Sequence, residues 1–320
     1  MKRFLSLLLI GVLCGAALCT DALAQELLIP GGQVIGLELS NDTVTVAAFD
    51  DGSGARDCGL QIGDEIVSVN GKKVRCAEDV RVSLSGCEGE ISVVIRRNGR
   101  EQKLMLRPDT TEGTARLGVY LRQGITGIGT VTYYDPDSGE FGTLGHGVND
   151  GNGRVVSMTR GQVYPAWIQS VKKGKAGQPG QLKGSADPDQ ILGKLDKNTP
   201  QGVFGQSRRG WMGEALPVAE FEEVRTGKAV IRSTVTEAGP REYSVEILKI
   251  YPKDRSDCRN FLLKVTDPDL LAITGGIVQG MSGSPIIQDG KLVGAVTHVL
   301  VNDPTCGYGI FIENMLDAAA

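Results

Sequence analysis

The stretch Gly275-Gly276-Ile277-Val278-Gln279-Gly280-Met281-Ser282-Gly283-Ser284-Pro285-Ile286-Ile287 decides how this chain reads. Glycines stand at 275, 276, 280 and 283, and an apolar pair follows Pro285. Glycine enters left-handed backbone without a Cβ penalty. The segment therefore predicts a sharp turn that presents the Ser282 hydroxyl and aims nearby N–H groups into one pocket. Such a pocket stabilises the oxyanion of acyl transfer, by about 3–4 kcal/mol per donor. The expected oxyanion donors are the backbone N–H groups of Gly280 and Ser282. Ser284 competes as nucleophile, but Ser282 is the serine that stands three positions before Pro285. Directly afterwards, Gly290-Lys291-Leu292-Val293-Gly294-Ala295-Val296-Thr297-His298 reads as a turn and a strand.

Working outward, residues 111–320 carry short β-rich runs parted by glycine turns and almost no long amphipathic pattern. The runs are Gly127–Tyr134, Gly161–Val171, Ala229–Thr236, Tyr243–Ile250, Phe261–Val265, Leu292–Val301 and Gly309–Ile312. That pattern predicts an all-β barrel or sandwich. Lys172 to Lys194 is rich in Gly, Lys, Gln and Pro and reads as an exposed loop or insertion. A serine hydroxyl needs a base within hydrogen-bond reach. The chain has two histidines, His146 in Thr143-Leu144-Gly145-His146-Gly147-Val148-Asn149-Asp150 and His298. Flanking glycines leave the His146 imidazole accessible, which suits a base, although these residues taken alone fit a plain turn histidine equally. His298 lies in a strand beyond the nucleophile and is expected beside the substrate channel.

Composition bounds the rest. The chain has 320 residues, 44 of them glycine, with 41% hydrophobic, 22% charged and a net charge of −4. No basic surplus exists to displace phosphate counterions, which argues against a nucleic-acid partner. The length suits two domains, each with its own core. Met1-Lys2-Arg3, an apolar run from Phe4 to Cys19 and Ala22-Leu23-Ala24 have the layout of a secretory signal peptide over residues 1–24, with a retained membrane anchor as the alternative. Export is expected either way. Five cysteines follow, at 58, 76, 87, 258 and 306, with no CxxC spacing, so no metal site is expected. One disulfide such as Cys76–Cys87 would suit an exported protein, and buried free thiols would suit the spacing equally.

Residues 31–107 read as a separate small module. Val44–Phe49 is β-rich, Glu78–Leu84 a short helix, and Ile91–Arg96 with Gln102–Leu106 a hairpin about Asn98-Gly99. The stretch from Gly59 to Val74, GLQIGDEIVSVNGKKV, closely resembles the hallmark segment of PDZ domains. In PDZ domains a peptide adds a strand beside a loop of backbone N–H groups. The matching place expected here is Gly32 to Leu37, with Val34, Ile35, Gly36 and Leu37 binding a peptide C-terminus or internal segment.

LGHGVND, KNTPQGVFG and GGIVQGMSGSPIIQDGKLVGAVTHVLVNDPTCGYGIFIENML, in that order after a PDZ-like module, resemble the SpoIVB peptidase family (stage IV sporulation protein B) across residues 31–320. The resemblance implies a mainly β chain, with an N-terminal PDZ domain followed by a chymotrypsin-like β-barrel serine protease domain at residues 111–320. It implies an exported serine endopeptidase without cofactor, acting in the forespore intermembrane space. There it would cleave itself and a regulator of an intramembrane protease during sporulation, leading to activation of a late mother-cell sigma factor. It also places the family's nucleophile on Ser282, its histidine on His146 and its acid on Asp267. A chymotrypsin-like barrel normally takes its acid from well before the serine, so Asp150, Asp269 and a working Ser–His dyad stay open. A catalytically silent PDZ adaptor binding a membrane partner is the alternative from another class. Periplasmic quality-control proteases also join the two units, but there the PDZ domain usually follows the protease.

Overall fold

A computed structural model describes residues 26–111, 114–150 and 153–320. The expected signal segment at residues 1–24 lies outside the described residues. Among those described, no helix is long and apolar enough to cross a membrane.

Two strands come first, β1 (Leu27–Pro30) and β2 (Val34–Ser40). The small module then follows as β3 (Val44–Phe49), β4 (Glu65–Val69), β5 (Lys72–Lys73), α1 (Ala77–Leu84), β6 (Ile91–Arg97), β7 (Arg100–Leu106), β8 (Asp109–Thr111), β9 (Thr114–Arg116) and β10 (Val119–Arg122). Its sheet runs β10-β3-β4-β6-β7, with β5 paired to β4. Val44, Val46, Ile66, Val69, Ile91, Val93 and Ile95 form its core with Val80 and Leu84 of α1. Alternation along each strand sends these side chains to one face. The predicted hairpin turn holds: Asn98 and Gly99 both take positive φ, +50° and +77°, as a two-residue turn between twisted strands requires. Cys76 and Cys87 stand at opposite ends of α1 and are free thiols.

The larger part begins with β11 (Ile125–Tyr134), β12 (Glu140–Thr143), β13 (Arg160–Lys172), β14 (Gln181–Ala186), β15 (Gly193–Thr199) and β16 (Gly202–Ser207), then β17 (Leu216–Pro217). Strand pairing passes from β2 to β11, β12, β16, β15, β13 and back to β2, so six strands close a ring. Ile35, Leu37, Leu39, Val131, Phe141, Val163, Leu195 and Val203 fill it. Next come β18 (Gly227–Ser233), β19 (Arg241–Ile250), β20 (Phe261–Val265), α2 (Pro268–Thr274), β21 (Pro285–Gln288), β22 (Lys291–Val299), β23 (Cys306–Phe311) and α3 (Ile312–Ala319). β18, β19, β20, β23, β22 and β21 close a second barrel around Ile231, Tyr243, Val245, Ile247, Phe261, Leu263 and Phe311. The architecture is thus mainly β, a PDZ-type module with a two-barrel protease fold.

Three expectations change. First, Val34, Ile35, Gly36 and Leu37 belong to β2 of the first ring, not to the small module. They pair with β11 on one side and β13 on the other. No free edge remains there for an added strand, and Ile35 and Leu37 are core. Second, the module spans β3 to β10 rather than 31–107, and it interrupts the connection from β2 to β11. Leu39 pairs directly with Ile125, so the two ends of the interruption meet in a hairpin. Third, the expected loop from Lys172 to Lys194 contains β14, which extends β13 as a hairpin and buries Leu182.

Candidate active site

The two barrels meet along β11 and the turn before β21. Alternate residues of β11 point one way, and Thr130 and Thr132 use this to grip the turn. The Thr130 hydroxyl donates to the Gly280 carbonyl at 2.8 Å, and the Thr132 hydroxyl to the Gly283 carbonyl at 2.8 Å. The Thr130 amide donates to the Ser282 carbonyl at 3.1 Å. Gly283 has φ +95°, and a Cβ there would lie 2.0 Å from the Thr130 carbonyl oxygen. Only glycine permits that approach.

A cleft of about 540 Å³ lies at this junction, and Ser282, His146, His298, Gly280 and Thr297 line it together. His146 follows β12, after Leu144 and Gly145, both at positive φ (+70° and +65°). That turn brings the half-buried imidazole into the cleft. Its Nδ1 lies 2.9 Å from the Gly147 carbonyl. A carbonyl only accepts, so Nδ1 carries the proton and Nε2 keeps its lone pair as the basic atom. Loss of solvent holds the His146 pKa below the ordinary 6.5, against an opposing pull from the Gly147 carbonyl. The ring of His298 stands 5.1 Å from that of His146, centroid to centroid. Loss of solvent first, then His146 and Arg259, bring His298 down to about 4. Both rings are therefore neutral near pH 7.

The Ser282 hydroxyl donates to the Thr297 carbonyl at 2.7 Å and is half-buried. Around it, the Met281 amide donates to Val278 O and the Gly283 amide to Val296 O, whereas the Gly280 and Ser282 amides meet no acceptor among the described residues. The two donors expected from the sequence are thus the two left unpaired. Ser284 is completely buried and its hydroxyl donates to Ser233 at 3.0 Å, so it does not face the cleft.

Asp267 is not brought to this group. It is the N-cap of α2, where its carboxylate accepts from the Leu270 amide at 3.0 Å and from the Ser244 amide at 3.2 Å. The sequence Asp-Pro ahead of an apolar turn is itself a helix-start signal. Asp269 lies on the same helix and faces Arg241. Asp150 pairs with Arg154. Among the described residues the imidazole Nδ1 is bonded to the Gly147 carbonyl and to no carboxylate. Sequence reading missed Thr130 and Thr132, because hydroxyls in a strand carry no signal until a partner strand is placed beside them.

The module offers a separate surface. β10 pairs with β3 on one side only and forms the sheet edge. Val82 of α1 is 54% exposed, and Arg81, Val82, Thr114 and Ala115 border a pocket between α1 and β9.

With this geometry in hand, comparison with known proteins is informative. Residues 113–316 match the sequence model described as SpoIVB peptidase S55. Residues 45–97 match that of a PDZ domain. A protein of Agrobacterium fabrum named as a candidate zinc metalloprotease is 39% identical over 97 residues, 30% of this chain and 25% of its own length. One of Vibrio cholerae with the same description is 31% identical over 144 residues, 45% of this chain and 30% of its own. The chain thus spans a quarter to a third of the length of these relatives. Their zinc description is not carried to this chain: the two histidine rings stand side by side, but among the described residues no three His, Cys, Asp or Glu side chains group to hold a metal. Among solved structures, the Rv3671c protease of M. tuberculosis in its active form has a TM-score of 0.40 at 14% identity, covering 61% of this chain and 75% of that one. The HtrA-type protease AlgW with a decapeptide has a TM-score of 0.37 at 11% identity, covering 65% and 56%.

Proposed function

The chain belongs to the SpoIVB peptidase S55 family and is a serine endopeptidase, and from that premise we propose that Ser282 is its nucleophile and His146 its general base. One observation carries the assignment: Ser282, His146 and the two unpaired amides of Gly280 and Ser282 share one cleft. The Ser282 hydroxyl leaves the Thr297 carbonyl and donates to His146 Nε2 as substrate enters. Its oxygen attacks the scissile carbonyl, and the proton passes to Nε2. The Gly280 and Ser282 amides stabilise the resulting oxyanion. His146 then returns the proton to the leaving amine, which departs as the acyl-enzyme forms. Water hydrolyses that ester by the same route in reverse. The Gly147 carbonyl takes the orienting role that an aspartate has in a triad.

The proposal extends to biology. The chain acts after export, near a membrane, on itself and on a regulator of an intramembrane protease during sporulation, and a late mother-cell sigma factor is activated as a result. Peptide docking is assigned to the β10 edge and the α1 face instead of β2, because β10 is paired on one side only and α1 exposes the apolar Val82. The test is direct. Wild type and Ser282→Ala, residues 25–320, are followed by mass for hours with a fluorophosphonate. Fragmentation and labelling confined to wild type support the assignment; labelling of the mutant, or of neither, removes it.

A further inference from the structure

The β13–β14 hairpin holds the loop that precedes Ser282. The Gly174 amide donates to the Thr274 carbonyl at 2.8 Å, the Gln279 amide to the Gly180 carbonyl at 3.0 Å, and the Leu182 amide to the Gln279 carbonyl at 2.8 Å. The last bond bears on chemistry. In a trans peptide the C=O and the following N–H point in opposite directions. Tying the Gln279 carbonyl to β14 therefore turns the Gly280 N–H away from β14. Gly280 has φ +99°, and in glycine such a peptide turns over with little steric resistance. The next peptide is fixed independently, by the Thr130 hydroxyl on the Gly280 carbonyl. The Leu182 side chain reinforces the first bond. It is 1% exposed, and a Cβ on Gly280 would meet three of its carbons at 3.1–3.4 Å.

We propose that Leu182 is a positioning residue for the oxyanion hole: its amide holds the Gln279–Gly280 peptide in the orientation that directs the Gly280 N–H at the developing oxyanion, and its side chain seats β14 on Gly280. This rests on the assignment of Ser282 as nucleophile. Leu182 touches no reacting atom. It acts through Gly280, from a segment contributed by the first barrel to a loop of the second.

The test measures phosphonylation of Ser282 by a fluorophosphonate, separating the rate constant at saturation (kinact) from the half-saturating concentration (KI). The phosphoryl oxygen uses the same donors as the carbonyl oxyanion. Losing one donor costs about 10²–10³ in rate when complete. Leu182→Ala should lower kinact at least tenfold with KI within twofold, while the final labelled fraction equals that of wild type. Leu182→Met should restore the rate. Gly180→Ala provides a second route, because its Cβ would lie 2.4 Å from the Gly174 amide nitrogen and 2.5 Å from Val278 Cγ1, forcing the hairpin off the loop. The same kinact loss is expected. If Leu182→Ala folds poorly, the rate constant of the fraction that labels still decides. An unchanged kinact in either alanine variant, or a change in KI alone, overturns the proposal. A wild-type chain that takes no label would overturn the Ser282 assignment instead. The Gly280 amide resonance, compared between wild type and Leu182→Ala, then decides this proposal, and an unmoved resonance overturns it.

Discussion

At the scale of single residues, the site depends on which groups are paired and which are left free. His146 is expected to set the acid limb of labelling. Because its pKa lies below 6.5, activity should persist to lower pH than an ordinary histidine allows, with the midpoint of the kinact profile below 6.5. A midpoint above 6.5 would mean that a carboxylate stabilises the imidazolium. Asp267 is the complementary case. Asparagine still caps through its oxygen on the Leu270 amide but turns an NH2 toward the Ser244 amide, so Asp267→Asn should lose a little stability, less than Asp267→Ala, and keep its labelling rate. Asp267→Ala should lose about 1 kcal/mol of stability. A rate loss of a thousandfold in Asp267→Asn, with only that small loss of stability, would show that this carboxylate serves the imidazole after all. Gly283 has no such tolerance. Gly283→Ala combines a positive φ with a contact of 2.0 Å to Thr130 O. It should cost about 2–4 kcal/mol in a urea titration and displace Ser282.

At the scale of elements, β2 and β10 exchange the places expected of them. Both read Leu-Gly or Ile-Gly followed by alternating apolar residues: Ile35-Gly36-Leu37 in β2, and Leu117-Gly118-Val119 leading into β10. Either would serve as the edge strand of the module. β2 is drawn into the first ring because it finds two partners there, β11 and β13, whereas the module edge beside β3 would give it one. β10 takes that edge, with Val119 and Leu121 against the module core. Peptide binding is therefore expected to respond to α1 and not to β2. Val82→Glu should weaken binding of an apolar-tailed peptide, read by NMR shifts in β10, and leave Ser282 labelling unchanged. Shifts confined to β2 would refute the assignment.

At the scale of the whole molecule, the module is an interruption of a hairpin. Leu39 and Ile125 are paired neighbours, and Gly124 packs on Leu39 and Ser40. Replacing residues 40–124 by Asn-Gly should therefore close β2 onto β11 with a two-residue turn. The product should unfold cooperatively and take the fluorophosphonate at Ser282. A fragment of residues 43–123 should fold alone, and one of residues 31–107 should not, because it lacks β10 and exposes the ring face of β2. Circular dichroism melts separate the two. The paired histidines add a pH dependence. A histidine whose folded pKa lies below its unfolded value leaves the unfolded chain binding more protons, so stability is lost as pH falls from 6.5 toward 4. His298→Gln should flatten that part of the stability curve, and an unchanged slope would exclude His298 as its source.

Local arrangement is legible in the order of the residues before any strand is placed. Ser282 in its glycine turn, the proposed donors Gly280 and Ser282, His146 in another glycine turn and the strands around them were legible because each depends on neighbours within a few positions. Glycine marks positive φ, alternation marks strands, and Asn-Gly marks hairpins. The family resemblance was legible for the same reason, through short ordered stretches. The tertiary structure alone decided which strand joins which sheet, since an alternating strand fits any sheet with an unpaired edge. It decided that Asp267 caps α2, because a carboxylate before Pro suits a cap and a triad alike until its distance partners are placed. It also decided that the glycine- and lysine-rich segment from 172 carries a hairpin strand, β14, bonded to the loop before Ser282. Those bonds join backbone amides to carbonyls across more than ninety residues, and backbone groups are the same in every residue, so no side-chain pattern announces them.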